Sequence, residues 1–205
     1  MTHVMLPAVL AAATALGAGA ACAQSAGEFT LGVGLGYVMP KDDNGDVAGA
    51  EADVSDSIRP TLTLEYFVMD NLGIEVLAAT PFQHDVRLDG LGKVASVQQL
   101  PPTVTLQYHF QTGSAWTPLL GVGVNYTTFF DEDGKGALSD AKVRLKDSWG
   151  LALHAGVDYA LSETGAIRAD VRWMDIDSDV EVNGEDVGEA EIDPWIFGVS
   201  YIHKF

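Results

Sequence analysis

The sequence predicts an all-β fold, an eight-stranded antiparallel transmembrane β-barrel of the bacterial outer membrane, and three observations carry that prediction. Bulky apolar residues alternate with small or polar ones, with period two, over much of the chain. No stretch after Gln24 approaches the ~20 consecutive apolar residues of a membrane-spanning helix. The chain also closes on Tyr201-Ile202-His203-Lys204-Phe205, a terminal aromatic of the kind outer-membrane barrels present to their assembly machinery. His203 stands where an apolar residue is commoner.

The strands follow in order. In 28–39, Phe29, Leu31, Val33, Leu35, Tyr37 and Met39 alternate with Thr30, Gly32, Gly34 and Gly36. Residues 61–67 set Leu62, Leu64 and Tyr66 against Thr61, Thr63 and Glu65, and 72–79 follow the tight turn Asp70-Asn71 as the second arm of a hairpin. Further strands are expected at 103–110, 120–128, 148–159, 167–173 and 195–205. Short links at 70–71, 111–115 and 162–165 alternate with long ones at 41–57, 84–98, 131–146 and 177–193. The long ones are acidic and Gly-rich and are expected to form outer loops.

Composition bounds the rest. The 205 residues leave room for one barrel and an export signal, and 47% hydrophobic content against 20% charged is apolar for a soluble protein. A net charge of −18 excludes nucleic-acid binding, which requires a basic surface. The apolar run from Val4 to Cys22 ends in Ala21-Cys22-Ala23, an A-x-A site, so residues 1–23 read as a cleaved signal peptide and 24–205 as the barrel. An uncleaved anchor and a lipoprotein site at Cys22 are the alternatives; Met1-Thr2-His3 lacks Lys or Arg, and no Leu stands three positions before the Cys. Cleavage after Ala23 removes Cys22, leaving no thiol for a disulfide or metal ligand.

Alternation alone does not separate a membrane barrel from a soluble ligand carrier. The contents of the two faces do. The polar face is mostly Gly, Thr, Ser and Asn, with Glu65, Glu75, Asp158, Arg168, Asp170 and Arg172 as matched charges suited to a narrow lumen. The apolar face carries Tyr37, Tyr66, Tyr108, Tyr126, Trp149, Tyr159, Trp173, Trp195 and Tyr201 toward strand ends, as in an interfacial girdle. The bulky face is therefore expected to meet lipid.

Seven segments together resemble the outer-membrane protein W family across nearly the whole mature chain. They are Asp70-Asn71-Leu72-Gly73-Ile74-Glu75, Leu77-Ala78-Ala79-Thr80-Pro81-Phe82, Leu100-Pro101-Pro102-Thr103, Gly123-Val124-Asn125-Tyr126-Thr127-Thr128-Phe129-Phe130, Lys146-Asp147-Ser148-Trp149-Gly150, Met174-Asp175-Ile176-Asp177 and Ile192-Asp193-Pro194-Trp195. The resemblance implies a hydrophobic internal pocket and passage of small apolar compounds across the outer membrane, without enzymatic activity or cofactor. Leu77 matches a position that lines the family's pocket; ordinary lumen packing is the alternative. Arg172 stands where the family can carry a bulky aromatic, which opposes a dry constriction unless Asp158 or Asp170 pairs with it.

Three prolines give the transport idea a physical basis. Pro81 late in one strand, and Pro101 and Pro102 at the start of the next, each remove a ladder donor, so the facing strands are expected to part and open a lateral gap into the bilayer. Simple strand termination at the loop boundary is the alternative.

Other groupings carry less. Asp175, Asp177, Asp179 and Glu181 lack the Gly an EF-hand loop needs at its sixth position, here Val180, and read as a solvated strand extension. With Asp131, Glu132 and Asp133 they are candidates for meeting lipopolysaccharide through divalent cations. His84, His109, His154 and His203 are scattered without metal-ligand spacing. Ser148 and His154 share a strand face but lie ~20 Å apart at 3.3 Å per residue, too far for a hydrolase pair. A structural or receptor-like surface barrel remains the alternative to a conduit.

Overall fold

The computed structural model describes residues 24–47 and 49–205; the signal peptide expected at 1–23 lies outside them. In chain order the strands are β1 (Phe29–Met39), β2 (Asp46–Val47), β3 (Ala50–Val54), β4 (Ser57–Met69), β5 (Leu72–Ala79), β6 (Phe82–Leu88), β7 (Gly92–Leu100) and β8 (Thr103–His109). There follow β9 (Trp116–Gly134), β10 (Val143–Leu145), β11 (Ser148–Ala160), β12 (Gly165–Met174), β13 (Asp177–Val182), β14 (Glu185–Glu191) and β15 (Trp195–Lys204). Among the described residues one 3-10 turn, Gly136–Leu138, sits between β9 and β10.

Eight strands close a ring. Antiparallel pairing runs β1–β4–β5–β8–β9–β11–β12–β15 and returns from β15 to β1. Because a strand's side chains alternate between faces, closure sends one set inward and the other outward. Glu75 and Asn125 are fully buried, whereas Leu35 is 57% exposed, Val199 60% and Trp149 73%. Small residues make the inner space: a Cβ on Gly73 would overlap the Glu65 carboxylate, and one on Gly198 would collide with that of Asp170. At the short-turn end, Phe29 packs on Tyr66 and Trp116 on Tyr159. At the other end Tyr126 packs on Trp149, giving the two interfacial belts. Asn71 takes φ 64° in the tight β4–β5 turn, a conformation Asn tolerates.

The four long connections correct the expectation of outer loops. They fold into a second storey of strands, running β10–β13–β14–β2–β3–β6–β7 and joining β9, whose 19 residues belong to both storeys. The cause is alternation of a more acidic kind: Val180 and Val182 point inward while Asp179 and Glu181 face out, and Phe82, His84 and Leu88 do the same on β6. The acidic stripe 175–181 is thus a strand extension, with Lys146 Nζ 3.1 Å from Asp179 and 3.4 Å from Glu181.

Candidate functional site

The interior of the barrel is divided by chemistry along its axis. On β5, going away from the tight turn, Glu75 comes first and Leu77 next; beyond the prolines, β6 contributes Phe82 and His84. On β12 the order from the short-turn end is Arg168, Arg172, Met174. A charged layer therefore lies beneath an apolar one.

Both arginines of the charged layer are paired. Arg168 donates from Nε and Nη2 to both oxygens of Asp158, at 2.7 and 3.0 Å, and from Nη1 to Glu75 at 2.8 Å. Arg172 donates to the other oxygen of Glu75 at 2.8 Å and to Asp170 at 3.0 Å. Glu75 is thus bridged by two guanidiniums, and the two-pronged geometry suits such buried pairing. His109 Nε2 lies 2.8 Å from Glu65, and His154 Nε2 lies 3.4 Å from Asp170. These groups fill the lumen of the membrane-spanning ring, as side chains do in barrels of eight strands.

Above them Leu77, Phe82, Val97, Met174, Ile176 and Ile192 form part of one apolar cluster. It continues into a cavity of the second storey, walled mainly by Val54, Val86, Val97, Phe129, Val143 and Val180, with His84 and Gln99 as its polar members. Free space there is about 40 Å³, little more than one or two waters, so a larger occupant must push the short strands apart. Burial pushes the His84 imidazole below the usual histidine range, favouring its neutral form.

The sequence-predicted residues fall around the boundary between the layers. Leu77 is buried, contributing to the apolar cluster on one side and bordering a small space shared with Arg172 and Asp170 on the other. Arg172 is buried and takes Asp170 as partner; Asp158 goes to Arg168 instead. Pro81 is exposed, Pro101 buried and Pro102 half-buried.

At the prolines the ladder is interrupted. The last β5–β8 pair is Leu77↔Thr103, and pairing resumes with Phe82↔Gln99 of β6–β7. Each side stays attached to its other neighbour, through Thr80 N–H to the Pro60 carbonyl and Tyr126 N–H to that of Pro102. The Pro81 carbonyl accepts from Arg59 Nε at 3.1 Å.

The remaining groups sort themselves. Ser148 Oγ accepts from the Asp177 amide, far from His154 among its carboxylates. His109 and His154, scattered in sequence, converge on the same charged layer, while His84 joins the outer cavity. Inward alternation on β8 and β11 carries the signal for the first two; for His84, and for Gln99 just beyond it, the signal is the alternation within 84–98, which the sequence reading takes as a loop. Asp175, Asp177 and Asp193 bring carboxylate oxygens within 4.8 Å of one another at the rim. Burial, then the charges of Asp193, Asp175, Glu189 and Glu191, push the Asp177 carboxyl up to about 6.

Comparison with known proteins agrees with this architecture. Outer membrane protein W of Salmonella typhimurium is 42% identical over 205 residues, covering 95% of this chain and 96% of that protein. The crystal structure of OprG from Pseudomonas aeruginosa superposes with a TM-score of 0.78 at 37% identity, over 90% of this chain and 99% of that one. The solution structure of outer membrane protein W from E. coli gives 0.66 at 36% identity, over 88% and 99%. The OmpW family model matches residues 25–205. A closed ring of eight strands, an outward apolar face and a match over the whole described barrel together place the chain in the OmpW family of bacterial outer-membrane proteins.

Proposed function

We propose that this barrel provides passive passage for small hydrophobic molecules, which enter the outer cavity from the exterior and leave sideways into the bilayer through the gap at Pro81, Pro101 and Pro102. The observation that carries the reading is the stacking of an apolar cavity on a lumen closed by paired charges. A solute that gains free energy from burial in the cavity, at about 25 cal/mol per Å² of apolar surface, gains nothing from the charged layer beneath. The exit it meets next is the interrupted ladder, where Leu77 and Phe82 flank the break. In the same reading Phe205 addresses the assembly machinery, and the exposed acidic groups of the second storey meet lipopolysaccharide through divalent cations.

Uptake of an apolar fluorescent solute into liposomes containing the barrel tests this. Replacing Pro81, Pro101 and Pro102 with Thr or Val restores ladder donors and should slow uptake several-fold while the barrel still assembles. Unchanged uptake removes the lateral route. No uptake above that of protein-free liposomes by the unaltered barrel leaves the structural or receptor-like reading instead.

A further inference from the structure

The outer cavity contains one polar atom that the fold leaves unanswered. Gln99 on β7 is 2% exposed, and its side-chain oxygen Oε1 has no hydrogen-bond partner among the described residues. The orientation of its amide follows from its neighbour. His84 Nδ1 lies 2.6 Å from the Ser55 carbonyl, an acceptor, so the neutral ring carries its proton on Nδ1. His84 Nε2 is then an acceptor and takes a hydrogen from Gln99 Nε2 at 3.2 Å. The chain Ser55–His84–Gln99 therefore holds Oε1 as a bare acceptor beside the apolar walls of Val97 and Phe129.

We propose that the cavity selects, among small hydrophobic molecules, those with a single uncharged hydrogen-bond donor: aliphatic or aromatic alcohols, whose O–H is accepted by Gln99 Oε1. The inference deepens the conduit reading and rests on it. An alkane in the cavity leaves a buried acceptor unpaired, at a cost of the order that separates made from unmade hydrogen bonds. A carboxylate would face Oε1 with like polarity, and neither Lys nor Arg lines the cavity to compensate it. An ammonium would be stripped of water for one partner. An alcohol loses its water and regains one hydrogen bond, while its hydrocarbon part meets valine and phenylalanine.

The test uses the full barrel in liposomes, with 1-octanol and octane as probes and Gln99→Leu as the variant, at pH 7.5 where His84 is neutral. Retained solute is quantified after subtracting protein-free vesicles. Comparing proteins rather than solutes cancels the alcohol's greater affinity for water. The variant should bind octanol about tenfold more weakly than the unaltered barrel, the loss of one hydrogen bond to a buried group, and octane equally or more tightly. Equal octanol affinity in the two proteins overturns the alcohol preference while leaving the conduit reading intact. Retention of neither probe by the unaltered barrel overturns both. Should the variant not assemble, octanol against its methyl ether on the unaltered barrel decides the matter. The ether keeps the oxygen and lacks the donor, so equal enrichment of the two over protein-free vesicles overturns the proposal.

Discussion

Arg168 is buried between Asp158 and Glu75, and its value lies in what its removal would strand. Arg168→Met leaves Asp158 without its guanidinium and Glu75 with only that of Arg172 inside the ring, and breaking such a buried pair costs about 3–5 kcal/mol. Denaturant unfolding of the barrel in micelles should show that loss, with part of it recovered when Asp158→Leu is added. Asp177 makes the opposite kind of prediction. Its folded carboxyl holds a proton up to about pH 6, above the ordinary carboxylate range, so folding is favoured at low pH and weakened as pH rises through that value. Asp177→Asn should therefore raise the melting temperature at pH 8 and leave it unchanged at pH 4. His84 works in the reverse sense, since its lowered pKa withdraws stability as pH falls below the usual histidine range. Of these residues, the charges at 65, 75, 158, 168, 170 and 172 could be read as luminal from the strand pattern. Which carboxylate meets which guanidinium could not, because strand tilt and barrel closure set those distances.

At the scale of the strand, legibility followed contrast between the two faces. Where bulky apolar residues alternate with Gly or Thr, as in β1 and β8, the element and its orientation were plain from sequence alone. Where the outward residues are Asp and Glu and the inward ones Val and Ala, as in β13 and β14, the acidic character outweighed the alternation and suggested loops. The same two-residue period was present, but water rather than lipid faces the outer set. Cysteine substitution of Leu106, Leu151 and Val171 with a polarity-sensitive label checks the assignment in the lower ring. All three should report hydrocarbon, and a water-like signal at all of them would reverse the two faces. That the prolines stand between paired segments can be read from the sequence; that Thr80 and Tyr126 anchor the chain on either side of them cannot.

For the whole molecule, two solvents meet one sheet. The apolar band of the ring suits lipid, the acidic outer faces of the second storey suit water, and β9 crosses from one to the other as a single strand. A net charge of −18 is compatible with membrane insertion because so much of it lies in that second storey or is neutralised within the lumen.

The seam of the ring, β1 against β15 from Thr30↔Lys204 to Met39↔Trp195, joins two strands far apart in sequence. Until these two strands meet, both margins offer unsatisfied amides and carbonyls to any passing strand, an invitation to aggregation. Closing the cylinder therefore carries the largest loop-closure entropy of any pairing in the ring, which makes it the slow step of assembly.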